Sequence, residues 1–271
     1  MGFVAAIINN KGGVGKTTVA CNLAHALGLQ GKRVLVVDLD SQCNATALLI
    51  PKENHPRPSL YELLEQDGPG RKLKDFCSPT RYDGVFCLPN VPETASLEPR
   101  LILDAPDSFF RLRRHFRDQA RARFDVTLMD TPPNLGVFVL CALNAADFAL
   151  VPIKSGSAFS VEGLLKAVQL VKEVQEQSNR DLRFLRLLIN QVDRRTLISR
   201  TLAAQITGAF REDQLFHTSI PANTAFEQAE AAGKTLLSHQ PGAPGAAAFR
   251  ELAQELLDIP TGAGSPRRKG K

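Results

Sequence analysis

Long apolar runs are missing from this chain. No stretch of its 271 residues approaches the ~20 consecutive apolar positions that a helix needs to cross a bilayer. The N-terminus runs straight into a strand pattern without a basic leader. Those two absences predict a cytoplasmic protein. Cysteine is present but never paired in sequence: Cys21, Cys43, Cys77, Cys87 and Cys141 lack the short spacings of a zinc motif or disulfide frame, which leaves them as buried or incidental thiols. Tyrosine occurs only at Tyr61 and Tyr82. An excess of one charge is lacking too. The formal net charge is +5, but Arg267, Arg268, Lys269 and Lys271 carry four of those charges and leave +1 for everything before them. The stretch Thr261-Gly262-Ala263-Gly264-Ser265-Pro266 ahead of them has too little to bury for folding. The chain therefore divides into a nearly neutral body over residues 1–260 and a flexible basic tail over 261–271. Such a tail either touches phosphate backbones without base specificity or ends in solvent.

What is present is alternation. Apolar runs at Phe3 to Ile8, Arg33 to Val37, Val126 to Met129, Phe148 to Ile153 and Phe184 to Ile189 read as buried parallel strands. Apolar residues at three- and four-residue spacings predict helices over Thr17 to Leu29, Leu60 to Glu65, Phe109 to Arg121, Val161 to Gln177, Leu197 to Phe210 and Ala246 to Leu257. The proline-, glycine- and charge-rich stretch from Pro51 to Asp83 reads as a peripheral excursion around its one short helix. This βα repeat predicts a single α/β domain: a doubly wound, mostly parallel sheet with helices on both faces and ligands beyond the carboxyl ends of the strands.

The chemistry is concentrated between the first strand and the first helix, where Lys11 to Thr18 read Lys-Gly-Gly-Val-Gly-Lys-Thr-Thr. Glycines let backbone N–H groups turn toward phosphate oxygens, a helix start adds its positive dipole end, Lys16 supplies a point charge, and the Thr17 hydroxyl can ligate Mg²⁺. The pattern predicts a nucleoside triphosphate site in a P-loop fold. A Gly-x-x-x-x-Gly-Lys-Thr loop ending at Thr17 would need glycine at position 10, and the chain has Asn10 followed by a second lysine, Lys11. Lys16 serves the loop's own nucleotide. Lys11, on the outer rim, either reaches the nucleotide of another subunit or is a solvated loop lysine.

With that second lysine the chain resembles the ParA/MinD family of deviant Walker A ATPases, whose signature lysine stands where Lys11 stands. The segment Asp38-Leu39-Asp40-Ser41-Gln42-Cys43-Asn44-Ala45-Thr46 is similar to the family's switch, with Ser41 in place of the usual proline and Cys43 where glycine is common. Val126-Thr127-Leu128-Met129-Asp130-Thr131-Pro132-Pro133 looks like its Walker B strand and turn. Ile220-Pro221-Ala222-Asn223 and Gly233-Lys234 resemble two C-terminal elements of ParA-type members. The resemblance runs nearly end to end.

It implies an ATPase that takes ATP and Mg²⁺. Gly12, Gly13, Val14 and Gly15 form the cradle, Lys16 holds the β- and γ-phosphates, Thr18 lies at the α-phosphate, and Asn190 with Pro221 lines the base side. Thr17, Asp130 and Asp38 serve the metal, and Asp40 places the attacking water. Asn190 also has an ordinary reading as a buried or turn asparagine. Within the family, the ParA/Soj type is implied: an ATP-driven sandwich homodimer joined through Lys11 that binds non-specific DNA and positions DNA or another large cargo. A ParB-like or other adaptor stimulates its hydrolysis. Arg194, Arg195, Arg200 and Lys234 are the DNA-contact candidates, although Ala222 and Ala225 stand at two positions that are cationic in the common pattern. Nucleoid association in the cytoplasm follows. The alternative is a MinD-like spatial regulator acting on a protein partner or a membrane, but the helix from Phe249 to Leu257 carries Glu251 and Glu255 and the tail offers no apolar anchor, so no stable membrane insertion is expected. An iron–sulfur relative lacks a supporting cysteine pattern, and a tyrosine autokinase lacks its tyrosine-rich tail.

Overall fold

A computed structural model of the chain describes residues 2–51, 58–65, 72–155, 159–193, 196, 201, 205–206 and 208–259. Among these residues one sheet is built from β1 (Phe3–Ile7), β2 (Val34–Asp38), β3 (Ser78–Pro79), β4 (Val85–Leu88), β5 (Val126–Asp130), β6 (Phe148–Lys154) and β7 (Arg183–Asn190), in the order β3-β4-β2-β5-β1-β6-β7. All pairings are parallel except that of β3 with β4. The central strands β1, β2, β5 and β6 are mostly apolar, as suits strands covered on both faces. Side chains alternate: Val4, Ala6 and Ile8 enter one core, while Phe3, Ala5 and Ile7 enter the other.

The helices divide between these cores. On the first face lie α3 (Leu60–Glu65), α4 (Glu98–Leu103), α5 (Asp118–Arg123), α6 (Val137–Ala145) and α7 (Phe159–Gln177). On the second lie α1 (Lys16–Leu29), α2 (Asn44–Leu49), α8 (Ala225–Ala231), α9 (Leu236–His239) and α10 (Pro244–Asp258). Helix α1 sits centrally beneath α2, α9 and α10, so it is buried almost all round. This is the doubly wound α/β architecture that the alternation implied.

Local departures have physical causes. The expected helix over Phe109 to Arg121 is instead a 3₁₀ turn at Asp107–Phe110, a π-helical turn at Arg113–Arg117, and then α5. Its arginines reach separate partners: Arg111 donates to Leu64 O and Asp104, Arg113 to Asn179, and Arg117 to Asp147 at 2.6 Å. A regular helix serving only an apolar stripe has no such constraint. Helix α6 was not expected, because Val137-Phe138-Val139-Leu140-Cys141-Ala142-Leu143 is a continuous apolar run that carries no helical period; burial on nearly every side explains it. The stretch from Pro51 to Asp83 is less peripheral than its composition suggested, since Leu60, Leu63, Leu64, Leu73 and Phe76 enter the first core and β3 extends the sheet edge. The helix expected over Leu197 to Phe210 lies largely outside the described residues, as does the tail over 261–271.

Candidate functional site

Parallel pairing brings the carboxyl ends of β1, β2 and β5 to one place: Ile7 stands opposite Asp130, and Asp38 stands opposite Asp130 on the other side. The loop leaving β1 turns at Gly13 and Gly15, whose φ angles of +71° and +87° are in the left-handed region that favours glycine. At Gly15 a side chain is also excluded by space, since a Cβ would lie 2.4 Å from Asn190 Nδ2. Gly15 caps α1 without any side-chain hydrogen bond, which leaves the first N–H groups of the helix for an anion. Lys16 is buried, and Nζ donates to the carbonyls of Asn9 at 3.3 Å and Lys11 at 3.2 Å. Burial lowers its pKa, against the attraction of Asp130 and Asp40.

Asp130 is fully buried, and neither carboxylate oxygen has a hydrogen-bond partner, although the Thr17 hydroxyl is a close neighbour. Burial, then the nearby Asp38 charge, push its carboxyl up to about 8. Asp38 is equally buried and is raised to about 6, again chiefly by burial. Its oxygens are engaged: Oδ2 accepts from Thr46 N at 2.8 Å and Thr46 Oγ1 at 2.7 Å, and Oδ1 accepts from Asp40 N at 3.2 Å. The Thr46 hydroxyl in turn accepts from Asn90 N at 2.9 Å. Asp38 thus ties the switch segment to the sheet. Asp40 is half-exposed and accepts from Gln42 N at 3.0 Å. The switch reaches α2 through Cys43, whose φ of +56° places a non-glycine residue in left-handed backbone.

Gly13, Gly15, Lys16 and Asp40 open into a cavity of about 690 Å³, whereas Asp38 and Asp130 are buried and not among its lining residues. Gly12, Gly13, Gly15, Lys16, Thr17 and Thr18 line one end together with Asp40, Thr131 and Pro133; Asn22, Phe226, Ala229, Glu230 and Lys234 continue the wall. Thr131 is locked in place by donating to Ile7 O at 2.7 Å. Lys11 stands on the rim, its Cβ facing Gly163 of α7, and is not among the lining residues. Lys234, a DNA-contact candidate from the sequence, lines the cavity wall. Asn190 and Pro221 are not among the described residues that line it. Asn190 Nδ2 donates to Val14 O at 2.7 Å and its Oδ1 accepts from Gln191 N at 2.9 Å, so this side chain props the phosphate loop. Its neighbour Gln191 does line the cavity. The sequence reading missed Gln191, Phe226 and Asn22, because an isolated polar or aromatic residue carries no spacing signal, and it gave Thr46 no role beyond its place in the switch motif. Arg194, Arg195 and Arg200 lie outside the described residues.

The residues present fit ATP and Mg²⁺. An uncapped helix start with a buried lysine suits a triphosphate, and Asp130 with unpartnered oxygens beside Thr17 suits a hard cation. Among the described residues no cluster of three or more histidines, cysteines or carboxylates forms a metal cage. That also fits, because Mg²⁺ is usually held by one or two carboxylates together with substrate phosphates.

The chain is similar to known proteins over most of its length. A family model described as an AAA domain matches residues 2–184. The chain is 38% identical over 252 residues to the chromosome-partitioning ATPase Soj of Thermus thermophilus, covering 93% of this chain and 94% of Soj. Cobyrinic acid a,c-diamide synthase from Mycobacterium smegmatis, solved with a bound ATP analog and magnesium, superposes with a TM-score of 0.78 at 30% identity and 95% coverage of each chain. The cell division ATPase MinD of Pyrococcus furiosus superposes with a TM-score of 0.76 at 25% identity, covering 95% of this chain and 99% of MinD.

Proposed function

We propose that this chain, which belongs to the ParA/Soj type of the ParA/MinD family of deviant Walker A ATPases, is a partitioning switch that couples ATP hydrolysis to the release of DNA. It is an ATPase, and its cofactors are ATP and Mg²⁺. The observation that carries the residue assignment is a buried lysine, lining the cavity on borrowed carbonyl partners, within electrostatic reach of a buried aspartate that has none.

Lys16 exchanges the Asn9 and Lys11 carbonyls for β- and γ-phosphate oxygens, while the N–H groups at the start of α1 hold the rest of the triphosphate. Thr17 and Asp130 would hold the ion, with Asp38 behind them. Bound there, a metal would supply neutralisation of the charge that develops on the transferred phosphoryl group. Asp40 orients the attacking water, and its own position is set by its N–H bond to Asp38. Because Asp38 also grips Thr46, loss of the γ-phosphate at Asp40 is felt across the whole switch.

Lys11, on the rim, reaches the nucleotide of a second copy, so that ATP drives a sandwich homodimer. In the dimer Arg194, Arg195 and Arg200 of both copies contact DNA together, and two linked weak sites bind DNA more tightly than one. A ParB-like or other cargo adaptor stimulates hydrolysis and frees the DNA, which makes the protein cytoplasmic and nucleoid-associated. No helix among the described residues is long and apolar enough to cross a membrane.

Two measurements test this reading. Titration with a fluorescent ATP analogue should show binding by the wild-type protein and none by Lys16→Ala; equal affinity would end the phosphate-loop assignment. Duplex DNA binding should require ATP and weaken with salt, log affinity falling by roughly 0.9 per phosphate neutralised for each unit of log salt. Replacing Arg194 and Arg195 with alanine should flatten that slope, and binding that ignores ATP would refute the DNA switch.

A further inference from the structure

The carbonyl seat that holds Lys16 is built by two residues, and one position of α7 adjoins both. Lys16 Nζ donates to Asn9 O at 3.3 Å and to Lys11 O at 3.2 Å. Asn9 is buried, and its side chain reaches past the loop to the sheet, where Nδ2 donates to Pro152 O on β6 at 2.8 Å. That bond fixes which way the amide faces, because the reverse orientation would set two carbonyl oxygens against each other. Oδ1 is left buried and without a hydrogen-bond partner. It faces Gly163. A Cβ added at Gly163 would lie 3.1 Å from Asn9 Oδ1 and 3.8 Å from Lys11 Cβ.

Gly163 lies in the second turn of α7, and its φ is outside the left-handed region, so backbone conformation does not require glycine there. Glycine inside a helix is also less stable than alanine. Space accounts for it. A side chain at this position would press on an oxygen that withdraws only by breaking the bond to Pro152 or by shifting the Asn9 backbone, whose carbonyl holds Lys16. The gap at Gly163 therefore sets where the seat lies. A lysine held ready near the phosphates loses less freedom when it binds them, so the position of the seat bears on nucleotide affinity.

We propose that Gly163 and Asn9 are positioning residues of the phosphate loop: the gap at Gly163 lets Asn9, tied to β6, hold the seat from which the Lys16 ammonium moves to the phosphates. The inference rests on the ATPase reading above. It is tested on the full chain and on Gly163→Ala, Asn9→Ala and the double variant, by titration with a fluorescent ATP analogue and by Tm without nucleotide. Gly163→Ala should weaken binding about fivefold and Asn9→Ala by a similar factor, the range of one lost hydrogen bond. The double variant should bind no more weakly than Asn9→Ala, because the added Cβ then meets only Lys11 Cβ at an ordinary contact distance. Its Tm should exceed that of Asn9→Ala, since alanine with room around it favours a helix more than glycine does. Unchanged affinity in Gly163→Ala, losses that multiply in the double variant, or a double variant less stable than Asn9→Ala would overturn the assignment. Failure of the wild-type protein to bind the analogue would instead overturn the reading beneath it.

Discussion

Thr46 joins the switch to the sheet, and replacing it with valine removes one hydroxyl from a site that water does not reach. Thr46 Oγ1 donates to the buried Asp38 carboxylate at 2.7 Å and accepts from Asn90 N at 2.9 Å. Valine fills nearly the same volume, so the loss is almost purely one of hydrogen bonding. A bond to a charged acceptor contributes about 1.5–3 kcal/mol, and a buried N–H left without a partner costs about 1–3 kcal/mol. Asp38 can soften the first loss by taking up a proton, since burial already holds its carboxyl near 6. The expected destabilisation at neutral pH is therefore about 3 kcal/mol, or about 6–12 °C in Tm for a chain of this size. The pH dependence has a definite sign. Losing a donor raises the folded-state pKa of Asp38 further above its unfolded value, so the deficit of Thr46→Val should grow as pH rises through 6 to 8 and shrink toward pH 5. Thr46→Ser keeps both hydrogen bonds and should lose only about 1 kcal/mol with its methyl group. Scanning calorimetry of the three proteins at pH 5, 6.5 and 8 reads both effects. Equal Tm values for the valine and serine variants, or a valine deficit that does not change with pH, would refute the account of Asp38 as an anchored, ionised switch tie.

Asp40→Ala should retain ATP affinity but lose hydrolysis and accumulate an ATP-bound dimer, read by light scattering; a monomer hydrolysing at the wild-type rate would give Asp40 another role. His25 on α1 is stacked on Tyr82 at 4.1 Å with Nδ1 2.6 Å from Thr235 Oγ1, and burial, then Arg250, lower its pKa to about 4. The unfolded chain therefore binds this proton more readily than the folded one. Its contribution is full above about pH 6.5 and lost as pH falls toward 4, so His25→Gln should flatten the decline of Tm over that range. Cys43→Gly should raise Tm by ~1–3 °C, because relief of left-handed backbone strain at φ +56° exceeds the extra chain entropy of glycine; a lower Tm would show that the thiol's contact with Ser41 O matters more.

The central strands were legible from composition because each is apolar on both faces, a property of the chain that survives without knowledge of its partners. Their ends moved by only a residue or so, as with Val126–Asp130 in place of Val126 to Met129. Elements that owe their form to their surroundings were not legible. Val85–Leu88 is a strand because β2 lies beside it, and Val137–Ala145 is a helix because its neighbours bury it on nearly every side.

The site divides along the same line. Lys11 to Thr18 could be recognised as a phosphate loop from eight contiguous residues, since glycine conformation, helix start and lysine reach are all local matters, and Asp38, Asp40 and Asp130 stood out at strand ends for the same reason. Folding decided what each of those groups is attached to. Thr46 meets Asp38 and Asn90, Asn190 meets Val14 across 176 residues of sequence, and Lys234 lies in the cavity wall. Gln191 and Phe226 flank one cavity only because Val192 pairs with Pro221. Hydrogen bonding and burial act over a few ångströms in space, and no spacing along the chain records which distant residues the sheet will bring within that reach.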